Sequence, residues 1–421
     1  MANACGVDFG TSNSTVGWHA PGRAPLLVLE DDKPTLPSVV FFNVEDGQTS
    51  FGRAALDIYL AGYEGRLMRS MKSLLGTSLI EGQTEVQGRA LPFRQLLANF
   101  IGELKRRAEQ QAGRSFSQAV FGRPVHFIDD DAEADRKAEA TLAEIAQQAG
   151  FAEVSFQFEP IAAAFDYEAR ISREELVLVV DIGGGTSDFS LVRLSPERAR
   201  AVERQADILG NGGVHVGGTD FDKYLSLKHV MPLLGLGGRL ASGAEVPSRY
   251  YFNLATWHTI NLNYTQKVWR ELQDVARDIA PGPTKLRFER LLHLILERDG
   301  HWLALKSEEA KILLSDSPEI ALSLDRLRGS EACQLVLDQA GLQDAVGHLI
   351  GSIEQKLQEV VRQAGVGIDA IDTVFFTGGA SGVCGLRERI GRMLPRAAKV
   401  KGDLFGSIGT GLALDAMRKY G

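Results

Sequence analysis

Two glycine-rich turns of one design are the residues best suited to chemistry in this chain. The first reads Val7-Asp8-Phe9-Gly10-Thr11-Ser12-Asn13, the second Val180-Asp181-Ile182-Gly183-Gly184-Gly185-Thr186-Ser187-Asp188. Each sets an aspartate after an apolar residue, then turns through glycine and hydroxyl side chains. Glycine lets backbone N–H groups approach phosphate oxygens, and the hydroxyls add donors. An aspartate ending the preceding strand suits Mg²⁺ held through water, because that ion dehydrates reluctantly. Gly10, Thr11, Ser12 and Asn13 are therefore expected on one side of the phosphates, and Gly183, Gly184, Gly185 and Thr186 on the other. Asp8 and Asp181 are expected to organise the metal. One such turn is a weak signal; a matched pair points to two halves of a duplicated fold closing on one nucleotide. A P-loop needs Gly-Lys-Ser/Thr entering a helix, and no lysine follows either turn. A dinucleotide fingerprint needs a helix start, whereas Asp188-Phe189-Ser190-Leu191 reads as extended.

Strands and helices must position these turns. Residues 176–180 form an apolar strand into the second turn, and Phe189, Leu191 and Val192 continue beyond it as another strand. Residues 26–29 and 39–42 are apolar runs separated by Pro34 and Pro37, read as early strands. Helical spacing recurs in Leu96, Leu97, Phe100, Ile101, Leu104 and Ala108, with Gly113 as the stop. A second helix carries Ala138, Leu142, Ile145 and Ala149 and ends at Gly150. Asp129, Asp130 and Asp131 crowd its start; carboxylates there cap free N–H groups and offset the macrodipole, which is a better reading than a metal site. Residues 233–247 read as a loop, and residues 250–275 as an aromatic-rich helix whose stripe belongs to a core. Leu349, Ile353, Leu357, Val360 and Ala364 mark a helix stopped by Gly365. A strand at 373–377 then reaches Gly378-Gly379, Leu386, Ile390 and Met393 form another helical stripe, and residues 406–417 are a small-residue segment.

A length of 421 residues exceeds one ordinary core, so two or more domains are expected. With 44% hydrophobic and 24% charged residues the composition is that of a soluble globular protein. A net charge of −8 offers no electrostatic reason for a nucleic-acid partner. Cys5, Cys333 and Cys384 are scattered and odd in number, without disulfide or zinc spacing, which fits a reducing compartment. The 8 histidines show no metal-ligand pattern. Residues 1–10 lack a basic stretch followed by an apolar core, and no apolar run has the length of a membrane span. No signal peptide, no membrane association and a cytoplasmic location are the expectations.

The two turns resemble the two phosphate motifs of the Hsp70 (DnaK-like) ATPase domain, in the actin/sugar-kinase superfamily. Further matches follow in the family's order. Leu36-Pro37-Ser38-Val39-Val40-Phe41 resembles its early strand, and Lys72-Ser73-Leu74-Leu75-Gly76 the segment with its catalytic lysine. Glu159-Pro160-Ile161-Ala162-Ala163-Ala164 is similar to its Glu-Pro-Thr-Ala-Ala-Ala segment, and Val216-Gly217-Gly218-Thr219-Asp220-Phe221-Asp222 to its Leu-Gly-Gly-Glu-Asp-Phe-Asp. Thr377-Gly378-Gly379-Ala380-Ser381 resembles its adenosine motif. Only residues 222–306 fall outside the likeness.

The resemblance implies an α/β, actin-like Hsp70 nucleotide-binding-domain fold. It would have two lobes, each a mixed β-sheet flanked by helices on a duplicated ribonuclease-H-like core. Residues 1–172, with 401–421 packing back, would form one lobe and 173–400 the other, with a variable subdomain at about 223–315. It implies ATP or ADP with Mg²⁺ in the cleft between lobes, and ATP hydrolysis in a chaperone-related role. Lys72 would neutralise charge on the transferred phosphoryl group, and Glu159 would position or deprotonate the attacking water, beside Asp8 and Asp181. Gly217, Gly218 and Thr219 would approach phosphates or ribose; Glu308, Lys311 and Ser315, on one helix face, would meet ribose and base. Gly378, Gly379, Ala380 and Asp403 complete the nucleotide set. Co-chaperones or another protein are the implied partners.

Two departures concern adenine: the family has arginines where this chain has Ile312 and Gly382, which predicts weaker nucleotide binding or a changed base preference. The sequence stops at Gly421 where the family continues into a peptide-binding domain, so a shortened homologue of the YegD type is expected. Two other readings stand beside hydrolysis. One is a small-molecule kinase of the same superfamily, against which the Glu159-Pro160 segment argues. The other is a non-hydrolysing, nucleotide-gated scaffold or filament former.

Overall fold

The computed structural model describes residues 3–86, 88–128, 131–327, 334–383, 385–403 and 406–421. Asp129, Asp130, Cys333 and Cys384, singled out above, lie outside them. Two compact units emerge: one from residues 1–215, 355–381 and 390–421, the other from 216–354 and 382–389.

The first unit holds two five-stranded sheets built to one plan. Strands β1 (Ala4–Phe9), β2 (Asn13–Gly17), β3 (Thr35–Pro37), β4 (Gln118–Arg123) and β5 (Glu153–Phe158) lie in the order β5-β4-β1-β2-β3. Strands β6 (Glu175–Ile182), β7 (Ser187–Leu194), β8 (Ile208–Val214), β9 (Thr373–Thr377) and β10 (Ala398–Lys401) lie in the order β8-β7-β6-β9-β10. In each, three antiparallel strands form a meander and two parallel strands extend it beyond the central one. The central strands β1 and β6 are nearly continuous apolar runs, as expected for strands covered on both faces. Each glycine turn joins its central strand to the next, with Asp8 opposite Thr15 and Asp181 opposite Asp188. The strand-turn-strand reading of the second turn therefore holds, and the first turn has the same form. Residues 26–29, read as a strand, make only an isolated bridge at Leu26, although Leu27 and Leu29 are buried.

Helix α1 (Phe93–Ala112) buries Leu96, Leu97, Phe100, Ile101, Leu104 and Ala108, and Gly113 closes it in the left-handed region at φ 67°. Helix α2 (Ala132–Gln148) is capped by Asp131, whose carboxylate accepts from the N–H groups of Glu133 and Ala134. Helices α3 (Glu159–Glu168) and α7 (Ser407–Tyr420, numbered after those below) share one core with residues from both sheets, including Ala4, Val120, Val177, Val179 and Phe375. Their approach is tight enough that a Cβ on Gly411 would lie 1.8 Å from the Ala162 carbonyl oxygen. The small-residue segment at 406–417 is thus a helix, and its smallness serves that approach.

In the second unit, helix α4 (Gly218–Leu225) packs with α5 (Gly300–Asp316) around Phe221, Leu225, Leu303 and Ala310. Residues 250–275 are not one helix. The chain forms three short helical pieces, Arg249–Ala255, Trp257–Tyr264 and Gln266–Arg277, because Thr256 and Thr265 are extended and Thr265 caps the third piece. Tyr250, Tyr251, Leu254 and Ile260 are buried, so the aromatic stripe does belong to the core. Residues 339–354 of helix α6 (Gln339–Gln363) complete the unit. Among the described residues no helix is long and apolar enough to cross a membrane.

Candidate functional site

The turns at the ends of β1 and β6 face each other within the first unit. A Cβ on Gly184 would sit 2.0 Å from Ser12 Oγ. The first turn is pinned from behind by Ser38, whose Oγ donates to the Gly10 carbonyl at 2.7 Å and whose N–H donates to the Ser12 carbonyl at 2.8 Å. Ser38 was not singled out from sequence; it follows the Leu36-Pro37 pair and pairs with Ser14 Oγ at 3.0 Å. The second turn closes on itself through the Gly183 N–H and the Thr186 carbonyl, 2.9 Å apart. Thr186 Oγ1 donates to Asp188 Oδ2 at 2.8 Å.

Four charged side chains converge beside the turns. Lys72 lies in a short 3-10 turn, Met71–Leu74, entered through Ser70 in the left-handed region at φ 54°. Such backbone is costly for a non-glycine residue and tends to mark functional turns. Lys72 Nζ donates to Glu159 Oε1 at 2.6 Å, and both side chains are mostly buried, at 12% and 15% exposure. Glu159 opens α3, with Pro160 pre-set for the first helical turn. Burial, then Glu159, pushes the Asp8 carboxyl up to about 7, against the pull of Lys72. Asp181 is held well above the usual carboxylate range by burial first, then by Asp188, Glu159 and Asp8. Burial draws the Lys72 ammonium down, but Glu159, Asp8 and Asp181 outweigh it and leave it raised. Negative charge is thus in excess, and a divalent cation would relieve it. The described residues form no cluster of three or more His, Cys, Asp and Glu able to hold a metal by themselves. Two carboxylates sharing Mg²⁺ with phosphates and water fit that finding, because Mg²⁺ is seldom caged by protein alone.

Gly378 closes on this cluster at φ 78°; a Cβ there would lie 2.2 Å from Asp181 Oδ1. Its carbonyl accepts from the N–H and Oγ of Ser381 at 3.0 and 2.8 Å, which shapes the Gly379-Ala380 turn. Asp403 precedes α7, and its carbonyl accepts from Ser407 Oγ at 2.7 Å. In the second unit, the Gly217 N–H donates to Asp220 Oδ2 at 3.0 Å, fixing the start of α4 at Gly218 and Thr219. Glu308, Lys311 and Ser315 all lie on α5. Lys311 is buried, 2.8 Å from Asp222 Oδ1 and 3.2 Å from the Gly218 carbonyl, while Ile312 is 56% exposed.

A family model described as Hsp70 protein matches residues 4–232 and 298–416. The unmatched stretch between them falls inside the region of weak likeness noted above. A chaperone protein HscA homolog of Pseudoalteromonas atlantica is 31% identical over 261 residues, 56% of this chain and 39% of its own length. The HscA homolog of Actinobacillus pleuropneumoniae serotype 5b is 31% identical over 247 residues, covering 53% and 37%. The chaperone protein DnaK of Endomicrobium trichonymphae is 30% identical over 230 residues, covering 53% and 34%. The matches thus span well under half the length of these relatives.

Proposed function

Since the chain belongs to the Hsp70 family, with that family's actin-like ATPase fold, we propose that it is a Mg²⁺-dependent ATPase with a chaperone-related role. The carrying observation is the Lys72–Glu159 contact at 2.6 Å beside Asp8, Asp181 and two facing glycine turns. Backbone N–H groups of the turns, with Thr11, Ser12, Asn13 and Thr186, hold the phosphates. Asp8 and Asp181 would hold Mg²⁺, which when bound would supply neutralisation of phosphate charge. Lys72 stabilises charge on the transferred phosphoryl group. Glu159 orients the attacking water and takes its proton, and its pairing with Lys72 holds the carboxylate ready.

The division into lobes at residues 172 and 173 is part of this reading, supported by the repeated strand plan of the two sheets. Gly378, Gly379, Ala380 and Asp403, and on the second unit Gly217, Gly218, Thr219, Glu308, Lys311 and Ser315, are assigned to the nucleotide on family resemblance. Co-chaperone partners and a cytoplasmic location are proposed on the same ground. A slowly hydrolysing, nucleotide-gated scaffold is the second reading, favoured by exposed Ile312 in place of an adenine-stacking arginine. Nucleotide-dependent light scattering without turnover would select it. Steady-state ATP hydrolysis by wild type, Lys72→Ala and Glu159→Ala tests the main reading: both variants should be severely slowed. Unchanged rates in both refute the mechanism, and no turnover in wild type leaves binding alone.

A further inference from the structure

Helix α3 begins with Glu159 and ends with Glu168, and its last side chain is held as firmly as its first. Glu168, 1% exposed, receives both terminal nitrogens of Arg204, Nη2 on Oε1 at 2.7 Å and Nη1 on Oε2 at 2.9 Å. The Ser195 N–H donates to the same Oε1 at 3.2 Å. Arg204 has no exposed side-chain surface; its Nε donates to Asp207, and Arg198 pairs with the other oxygen of Asp207. The Arg204 guanidinium also lies over the Phe165 ring, 5.6 Å from its centroid, one turn back along α3. Arg198 also pairs with Glu174 at 3.1 Å, so cations and anions alternate along the chain of contacts.

Stability is a weak reason for such a network, since buried ion pairs are often replaceable by apolar residues without loss. Its distinctive property is direction: a guanidinium fork fixes a carboxylate in plane and in position. Elsewhere on α3 the Tyr167 hydroxyl donates to Glu175 Oε2 at 2.6 Å, and Ala162 packs closely on Gly411 of α7. Neither contact is a charged fork, so neither fixes a carboxylate in plane as Arg204 does. A helix of 10 residues is roughly 15 Å long and stiff over that length, so fixing one end fixes the other.

We infer that Arg204 is a positioning residue for Glu159: its bidentate grip on Glu168 sets the axial position of α3, and so the Lys72–Glu159 contact. The catalytic consequence rests on the role proposed above for Glu159; the geometric one does not.

The test is a coupling measurement in the full chain. Urea unfolding of Lys72→Met, Glu159→Gln and the double variant gives their coupling energy, first in wild type and then with Arg204→Met and Glu168→Met added. Positioning predicts that coupling falls roughly threefold or more in the second background. An unchanged coupling overturns the inference. If the apolar pair does not fold, Arg204→Lys, which keeps the charge but loses the fork, replaces it in the same cycle with the same two outcomes. A second readout is ATP turnover: kcat should fall roughly tenfold or more with KM little changed, as misplacement by about 1 Å can cost that much. A purely structural role would lower the unfolding midpoint and leave kcat intact. Wild type that does not hydrolyse ATP defeats the proposed function, while the coupling measurement still decides this inference.

Discussion

Replacing Lys72 by methionine removes the cation 2.6 Å from Glu159 while keeping most of the apolar stem. A unit-charge pair about 4 Å apart at an effective dielectric of ~20 is worth about 4 kcal/mol. Removing one partner of a buried pair typically costs about 3–5 kcal/mol, because the other charge stays buried without compensation. Here that charge is the Glu159 carboxylate, which already raises Asp8 and Asp181. Lys72→Met should therefore lose stability on this scale and drive Asp8 further up. Glu159→Gln added to it removes the stranded charge and should recover most of the loss. Activity should not follow: without the lysine, turnover should fall by about 10²–10³, as when an electrostatic donor to a transition state is deleted, and the double variant should be no faster. Urea unfolding and steady-state ATP hydrolysis on the same preparations separate the two effects. A double variant no more stable than Lys72→Met would refute the stranded-charge reasoning. Turnover at wild-type rate in Lys72→Met would refute the catalytic role.

Three other outcomes are expected. Asp8 stands at about 7 when folded against an ordinary 3.8, so without Mg²⁺ or nucleotide it contributes stability below about pH 4 that is lost as pH rises through 7, with a ceiling of roughly 4 kcal/mol. Unfolding midpoints of wild type should therefore decline more between pH 4.5 and 7.5 than those of Asp8→Asn, and parallel declines would remove Asp8 as the cause. Ile312→Arg and Gly382→Arg should each tighten ATP by about 1–2 kcal/mol if they restore stacking, read by calorimetry; unchanged affinity in both counts against weakened adenine binding. Gly411→Ala forces a Cβ toward the Ala162 carbonyl and should cost about 3 kcal/mol, whereas Gly102→Ala, inside α1 with nothing within 4 Å, should be neutral or slightly stabilising. Equal melting temperatures for the two variants would deny that α3 and α7 pack as closely as described.

The site was legible where residue type carries the chemistry. Asp8 and Asp181 were marked by the paired aspartate-glycine-hydroxyl turns, whereas Lys72 and Glu159 were read only from the family resemblance; the four do gather at one place. Helices with large apolar stripes, such as α1 with Leu96, Phe100 and Leu104, were equally plain. Helix α7 was not, because its buried face, Leu412 and Asp415 apart, is Gly409, Gly411, Ala413 and Ala416, small residues that look like a loop until a second helix is seen to need the room. The break at Thr256 was hidden by helical spacing that continues across it. The bond of Ser38 to Gly10 and the whole of Arg204 escaped notice for a different reason: the partners, Gly10 and Glu168, are chosen by tertiary structure and leave no local pattern.

The contact between β1 and α7 has a kinetic consequence. Ala4 and Leu412 belong to one core, and the second unit is threaded into the chain between them. Closing so long a loop adds little equilibrium cost, because loop entropy grows only with the logarithm of length. The rate is another matter, since contacts distant in sequence slow folding. During synthesis the apolar face of β1 must wait while nearly the whole chain is made, a period in which such surfaces aggregate. The second unit has no such wait, since all of it but residues 382–389 is the single run 216–354. Refolding followed by separate probes in the two units should therefore show the second forming first. A member of a chaperone family would then have, in its own largest unit, the type of slow, late-closing core that makes chaperones necessary.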